Sequence, residues 1–395
     1  RAAVSGVGSD VWMEGLDVDD VQQPIFVQEG NSTILENSRL HIAFIGDAIN
    51  VKRALYARIE NCDLAGDVTI DTDAIDYDGL QGGIIRGNYI HDFLGDNNDA
   101  IDIGEGAVDI LIERNVILRC FDKGASVGQA STAILRRNII RDCGLGVGIK
   151  DLGSQALIEH NTFHKTGSGV ALYEKNRGDG GGLADIRGSI FSETSSEPVS
   201  IDPFSTATVA YCLSDTLPVA GVGNLLAQPQ FLNAARTNFA LQTGSAAVDA
   251  GPPGSPSDPD GTRADIGAIP FDWRDGHAVI SEIHYHPATV DQAEYVELHN
   301  PGGATQDLSG FRFNKGFGFS FPAGVVLPPG GYLVVAASTN GLSGVTSLVV
   351  WATGTLDNAG EVIELQDAAS NEIHRVSYGS FDPWPATPDG LGPSP

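Results

Sequence analysis

The sequence predicts an all-β protein built as a right-handed parallel β-helix followed by a β-sandwich. Three observations carry this. A short phrase ending in asparagine or a substitute recurs every 23 to 28 residues from Asn37 to Cys212. Gly is abundant at 49 residues, Met occurs once and charged residues make up 19 %, with dense Thr and β-branched residues and no 3.6-residue period. Beyond residue 276 the repeat gives way to separate strands that alternate apolar and polar residues, as in Glu294-Tyr295-Val296-Glu297-Leu298.

The repeat is read in chain order. Val11 to Val27 supplies one or two opening turns, with Met13-Glu14-Gly15 ending 22 residues before Asn37. Leu35-Glu36-Asn37 then recurs as Ile59-Glu60-Asn61, Arg86-Gly87-Asn88, Glu113-Arg114-Asn115, Arg136-Arg137-Asn138 and Glu159-His160-Asn161. Gly188-Ser189 and Tyr211-Cys212 are degenerate copies. One such turn cannot bury its apolar face alone, so turns stack and share a continuous core. Asn suits the repeated position because it tolerates left-handed backbone angles and its amide can bond the next Asn in the column. The Leu-xx-Leu-x-Leu signature of leucine-rich repeats is absent, and an α-solenoid is excluded by composition. Cys120 and Cys143 each lie five residues past a repeat asparagine and are expected on neighbouring turns, as a buried thiol pair with a disulfide as the alternative.

After Cys212 the pattern loosens. Asn224 to Phe231, Phe239-Ala240-Leu241, Gly244 to Gly251 and Asp265-Ile266-Gly267-Ala268 resemble the closing segment common to secreted bacterial β-helix proteins, which implies a cap on the open end of the stack at about 220–272. Gly251 to Gly261 reads as a surface loop within it. Residues 1–272 are thus expected as the β-helix with its cap, Trp273-Arg274-Asp275-Gly276 as a boundary, and residues 276–395 as the sandwich. Strands are expected at Ala278–Tyr285, Glu294–His299, Tyr332–Ala337 and Val362–Leu365. Ile280 to Tyr285, Glu294 to Asn300, Asp307-Leu308-Ser309-Gly310-Phe311 and Val376-Ser377-Tyr378-Gly379 occur in the order of the lamin-tail domain, which this region resembles. That resemblance implies an immunoglobulin-like sandwich of the kind that in bacteria accompanies extracellular or surface enzymes.

Composition bounds the function. The net charge of −28 argues against nucleic acid as a partner, since phosphates would be repelled. No apolar run is long enough to span a bilayer, and Arg1-Ala2-Ala3-Val4 is not a signal peptide but reads as an interior start, as Gly392-Pro393-Ser394-Pro395 reads as an abrupt stop. The four cysteines form no CxxC pair, so a zinc ribbon is unsupported. His284-x-His286 lacks a third ligand, and His160 and His164 suggest little. A monomer at the cell surface or secreted from a bacterium is expected.

One stretch concentrates the acids. Asp73-Ala74-Ile75-Asp76 returns as Asp99-Ala100-Ile101-Asp102 and, altered, as Lys123-Gly124-Ala125-Ser126. On a coil, Asp73, Asp99 and Lys123 form one column and Asp76, Asp102 and Ser126 a second, at about 4.8 Å per turn. Like charges at that distance raise a pKa or bind a cation, and carboxylates with Asn98 nearby favour Ca²⁺. A solvated set of turn aspartates is the plain alternative. A lysine beside carboxylates is either a salt bridge or a base. Lys150 is a second candidate for the base. Tyr173, Glu174 and Lys175 lie further along the same face, with Glu174 under Asp151, Gln129 and Glu105 in one column. That ridge reads either as the lining of a sugar groove, with Tyr173 as a stacking platform, or as a salt-bridged surface.

Asn98-Asp99-Ala100-Ile101-Asp102 resembles the Asp-Asp-x-x-Asp calcium phrase of family nine pectate lyases, which are β-helix enzymes. The resemblance implies Asp73 or Asp76, Asp99 and Asp102 as calcium ligands and Lys123 as base, although Asn98 replaces an aspartate and the spacing to Lys123 is short. It implies β-elimination on a uronate polysaccharide or an acidic cell-surface glycan. The rival readings are a non-catalytic adhesin or glycan-binding scaffold with structural calcium, and a hydrolase using Asp99 and Asp102 as paired carboxylates.

Overall fold

The computed structural model describes residues 4–8, 10–43, 45–242, 244–258, 262–271, 278–287, 293–300, 305–351, 353–370 and 372–379. The chain divides into two units, Arg1–Phe271 and Asp272–Pro395. The boundary phrase at Trp273–Gly276 lies outside the described residues, as do Arg1 to Ala3 and the C-terminal Gly392 to Pro395.

The first unit is a right-handed parallel β-helix of three sheets. Each turn gives one strand to sheet A, the next to sheet B and the third to sheet C, and each strand pairs in parallel with its equivalent one turn away. Among the described residues sheets A and B have nine strands each and sheet C ten. The strands of sheet A that concern the site are Ile49–Lys52, Ile75–Asp78, Ile101–Gly104, Lys123–Val127, Leu145–Lys150 and Ser168–Tyr173. Alternation is the cause of the core: Ile49 and Val51, Ile75 and Tyr77, Ile101 and Ile103 point inward and are fully buried, which sends the residue after each outward. Inward residues from all three sheets merge into one continuous apolar cluster along the coil.

The asparagine repeat resolves into two columns. Asn88, Asn115, Asn138 and Asn161 form a buried ladder in which each side-chain Nδ2 donates to the next Oδ1 at 2.9–3.0 Å. Each Nδ2 also donates to a backbone carbonyl, as Asn115 does to Ile85. Asn37 and Asn61 were expected in this column but stand one place earlier. Their φ values are 49° and 53°, and they share the left-handed position with Gly87, Arg114, Arg137 and His160. Ser38 and Cys62 fill the ladder places beside them, so the amide ladder starts at Asn88. The four cysteines are free and buried, and the thiols of Cys120 and Cys143 donate to the carbonyls of Leu118 and Arg141.

The segment after Cys212 covers the end of the coil only in its first part, where Leu225–Leu226 pairs with the last strand of sheet C and Asn224 Oδ1 accepts from the Cys212 N–H, and then runs along the outer face of sheet C. Leu241, Ala247 and Ile266 pack on Ile190 and Leu213, and Phe239 with Ala268 packs on Ile139. The His160 ring bonds the Asp265 carbonyl at 2.9 Å, and Arg141 donates to the carbonyl of Ala234. These histidine and arginine contacts are structural. The last turn itself keeps Val199, Ala207 and Val209 only half-buried.

The second unit is a β-sandwich. One sheet contains Val279–His284, Tyr295–His299, Tyr332–Ala336 and Leu348–Val350, and the facing one contains Phe319–Ser320, Arg312–Lys315, Gly360–Gln366 and Glu372–Gly379. Val296, Leu298, Val335, Ile363 and Leu365 meet between them with Phe313, Phe317 and Trp351.

Candidate functional site

The outward positions of sheet A form a grid of three columns. The first is Asp47, Asp73, Asp99 and Lys123, the second Asn50, Asp76, Asp102, Ser126 and Gly148, and the third Lys52, Asp78, Gly104, then Lys150 and Tyr173. Asp73 over Asp99 and Asp76 over Asp102 stand in register as like-charged neighbours. The backbone holds the first column in place: the Asp99 N–H donates to Asp73 Oδ1 at 2.6 Å, and the Asp73 N–H donates to Asp47 Oδ1 at 3.1 Å.

Asp47, Asn50 and Lys52 are site residues that the sequence reading missed. Their signal was present, because Asp47-Ala48-Ile49-Asn50 is a further copy of the acidic phrase, 26 residues before Asp73. Asn50 Nδ2 bridges Asp47 Oδ2 at 2.7 Å and Asp76 Oδ2 at 2.6 Å. Lys52 bonds Asp78 and lies 3.8 Å from Asp76.

At the other end of the acids stand two buried lysines. Lys123 Nζ donates to Asp99 Oδ1 at 3.2 Å and also bonds Asp122, another residue the sequence reading did not include. Lys150 reaches back across Gly128, and its Nζ stands 3.8 Å from Asp102 Oδ1. Glycine leaves these stems their room. A Cβ on Gly128 would stand 2.7 Å from Lys150 Cε, and one on Gly148 would stand 2.9 Å from Lys123 Cδ and 3.4 Å from the Tyr173 hydroxyl. Lys123, Lys150, Tyr173, Asp99 and Asp102 are therefore brought together over the small residues of the second column.

The charge balance is uneven. Among the described residues, Asp47, Asp73, Asp76, Asp78, Asp99, Asp102 and Asp122 face only Lys52, Lys123 and Lys150. Burial, with Asp78 and Asp47 adding to it, pushes the Asp76 carboxyl up to about 9. Burial also pushes Asp99 up to about 7, against the pull of Lys123, and raises Asp73 well above the carboxylate range with the help of Asp99. Burial pulls the Lys123 ammonium down, but Asp99 and Asp122 outweigh it and hold the proton more tightly than usual. Tyr173 is raised by burial.

Other expected residues fall outside this cluster. Asn98 is buried, and its amide is used in holding the loop before the strand: Oδ1 accepts from the Thr72 N–H at 2.9 Å and Nδ2 donates to the Thr69 carbonyl at 2.6 Å. That corrects its expected place among the metal donors. Glu174 does stack on Asp151, but its Oε1 accepts from the N–H groups of Gly178 and Gly180, stapling the loop that follows. Lys175 is exposed on that loop, and its N–H donates to Asp151 Oδ1. The His284 ring lies tilted against Tyr295 and bonds the Ala293 carbonyl.

Among the described residues no group of three or more His, Cys, Asp or Glu side chains stands ready to hold a metal ion. The donor chemistry nevertheless fits a hard cation. Asp102 Oδ1, Asn50 Oδ1 and Ser126 Oγ are buried oxygens with no hydrogen-bond partner. The carboxylates around them carry more negative charge than the lysines cancel. Asp73, Asp76, Asp99 and Asp102, the expected calcium ligands, share this face without forming such a group.

Comparison with known proteins agrees with the architecture. Residues 23–191 match the family model described as right handed beta helix region, and residues 274–380 match that of the lamin tail domain. The crystal structure of pectate lyase Pel9A is similar at 11 % identity and a TM-score of 0.34, over 67 % of this chain and 86 % of that one. No curated protein matches the chain. Among the described residues no helix is long and apolar enough to cross a membrane. The chain thus carries a parallel β-helix region followed by a distinct lamin-tail-like domain.

Proposed function

We propose that the first unit is a calcium-dependent polysaccharide lyase, secreted or held at the cell surface, that cleaves a uronate-containing polymer by β-elimination. The observation that carries this reading is the junction of stacked, under-compensated aspartates with two buried lysines on one face of sheet A. A calcium ion held by Asp73, Asp76, Asp99 and Asp102 would supply positive charge that a uronate carboxylate can share, which acidifies the proton on the adjacent ring carbon. Lys123, freed of its extra proton, takes that ring proton at Nζ. The released electron pair forms a double bond to the neighbouring carbon, the glycosidic C–O bond there breaks, and the departing oxygen takes a proton from water. Lys150 and Tyr173, on the far side of the second column, face the same space and serve to orient the substrate carboxylate.

A second reading has its own support. Lys123 is clamped between Asp99 and Asp122 as an ammonium, which suits a fixed charge better than a base. That favours a glycan-binding scaffold with structural calcium.

One experiment separates the two. Ultraviolet absorbance of an unsaturated uronate product is followed on a panel of uronate polymers, with calcium and with chelator. The lyase reading expects absorbance that needs calcium and falls about 10²–10⁴-fold in Lys123→Ala, the usual worth of a positioned base. Silence on every polymer together with calcium-dependent thermal stabilisation assigns the scaffold. Reducing ends without new absorbance assign hydrolysis.

A further inference from the structure

The outer face of sheet B carries a feature that the site on sheet A does not use. Its strands Tyr56–Glu60, Gly83–Arg86, Ile110–Glu113, Thr132–Arg136, Gln155–Glu159 and Leu183–Arg187 pair in strict register. Ile59, Ile85, Ile112, Leu135, Ile158 and Ile186 point into the core. The residues before them therefore point outward, and in register they read Arg58, Ile84, Leu111, Ile134, Leu157, Asp185. Four consecutive outward positions of one column are aliphatic. Ile134 is 40 % exposed, and Ile84, Leu111 and Leu157 are half-buried. A contiguous apolar stripe of this kind on a solvent-facing sheet marks an interaction surface, where scattered single residues would not.

We propose that this face is a two-fold interface between two copies of the chain, with the axis lying along the strand direction and passing between the Leu111 and Ile134 strands. A symmetric dimer requires a patch that is complementary to itself. Such an axis reverses the order of the turns and keeps each column facing its own counterpart. The middle column then pairs Leu111 with Ile134, Ile84 with Leu157, and Arg58 with Asp185 of the second copy, apolar with apolar and cation with anion. The column beside it reads Glu60, Arg86, Glu113, Arg136, Glu159, Arg187. Reversed about the same point, it sets Glu60 against Arg187, Arg86 against Glu159 and Glu113 against Arg136. In the third column Tyr56 meets Leu183, and Gly82 meets Gln155. All three columns are matched about one axis, with no like-charged pair among them. An axis parallel to the coil through the middle column would instead set Leu111 on Leu111 but also Arg58 on Arg58 and Asp185 on Asp185, so the charges select the antiparallel arrangement. Six strands at about 4.8 Å span only about 24 Å, a face at the small end for specific pairs, so the dimer should depend on concentration in the micromolar range.

Sedimentation velocity of the full chain from about 1 to about 100 µM tests this. The expected result is a monomer–dimer equilibrium whose dissociation constant rises at least about tenfold in Ile134→Glu, which buries a charge against Leu111 of the second copy. A monomer throughout that range overturns the proposal and hands the stripe to another occupant. So does a dimer that Ile134→Glu leaves unchanged. The axis is tested by cross-linking. Facing sheets lie about 10 Å apart, too far for a disulfide, so a thiol cross-linker of about 6 Å reach is used; Ile84 and Leu157 are three turns apart within one chain, about 14 Å, so it can join Ile84→Cys to Leu157→Cys only between copies. The native thiols are buried and do not interfere. The double variant is expected to give a covalent dimer with this cross-linker, and each single variant is expected to give none. Cross-linking by Ile84→Cys alone refutes the stated axis.

Discussion

Sheets A and B belong to one coil, share one strand spacing and stack their outward charges in opposite ways. On sheet B, Glu60, Arg86, Glu113 and Arg136 succeed one another, and each charge touches its opposite, with Arg86 bonded to both Glu60 and Glu113 at 3.0 Å. On sheet A, Asp73 stands on Asp99 and Asp76 on Asp102. A parallel coil turns a one-letter choice per repeat into a ladder of contacts. An alternating choice cancels charge, and a repeated choice accumulates it. Accumulation is unfavourable unless a proton or a cation enters, so sheet A is where the molecule holds electrostatic free energy in reserve.

The largest expected effect follows from that reserve. Asp73, Asp76 and Asp99 have folded-state pKa values above those of an unfolded aspartate, so the native chain binds more protons than the unfolded one. Groups raised in this way give stability that is complete below about pH 4, their unfolded value, and that is lost as pH rises through about 7 for Asp99 and about 9 for Asp76. Without divalent ions the melting temperature of the first unit should therefore fall between pH 4 and pH 9. Calcium should remove most of that slope, and the two curves should differ by about 5 °C or more at pH 8. Thermal melts with calcium and with chelator across this range measure it. Curves that coincide would show that sheet A holds no cation and would reduce the contrast to a difference in protonation.

A smaller effect isolates one carboxylate. Asp76→Asn removes a charge that faces Asp78, Asp47 and Asp102 and keeps its shape beside Asn50. The metal-free protein should gain about 1–3 kcal/mol at pH 8, because the fold no longer has to keep a proton on a buried carboxyl that is ionised in the unfolded chain. The same variant should lose most of its response to calcium. Urea unfolding at pH 8 with and without the ion reads both, and destabilisation in chelator would mean that Lys52 already neutralises this residue.

The repeat was legible because its physics is local. A turn needs a left-handed residue, a polar ladder and an inward apolar alternation, and each leaves a mark at a constant spacing, as Arg114-Asn115-Val116-Ile117 does. The stacking of Asp73 on Asp99 was legible for the same reason. What the spacing could not separate was which of two adjacent places an asparagine fills, since Asn serves both the left-handed position at Asn61 and the amide ladder at Asn88. Asn98 was misplaced because the residue before a corner turns toward the backbone of the loop one turn earlier, a choice made by the Thr69 carbonyl and the Thr72 N–H. The reach of Lys150 to Asp102 depends on the missing side chain of Gly128 one turn away, and the packing of Phe239 on Ile139 joins residues a hundred apart. Neither leaves a local trace.

The smallest effect tests the other side of the comparison. Glu113 on sheet B is bonded by Arg86 Nε at 3.0 Å and Arg136 Nε at 2.7 Å, and these two arginines outweigh burial and hold its carboxyl below the usual range. Glu113→Gln keeps the shape and removes the charge, leaving two guanidinium groups flanking a neutral amide. Both ion pairs are partly open to solvent, so the loss should be only about 1–2 kcal/mol. The sign of its pH dependence is opposite to that of sheet A. A carboxyl depressed in the fold gives stability that is present above its unfolded value of about 4.5 and lost as pH falls through the lower folded value. The Glu113→Gln penalty should therefore be constant from pH 6 to pH 9, indifferent to calcium, and shrink below about pH 4. Urea unfolding of dilute protein at pH 3.5 and pH 8 measures it. A penalty that changes with calcium would mean the two faces are coupled through the strands between them, and the opposition drawn from their charge order would no longer describe independent surfaces.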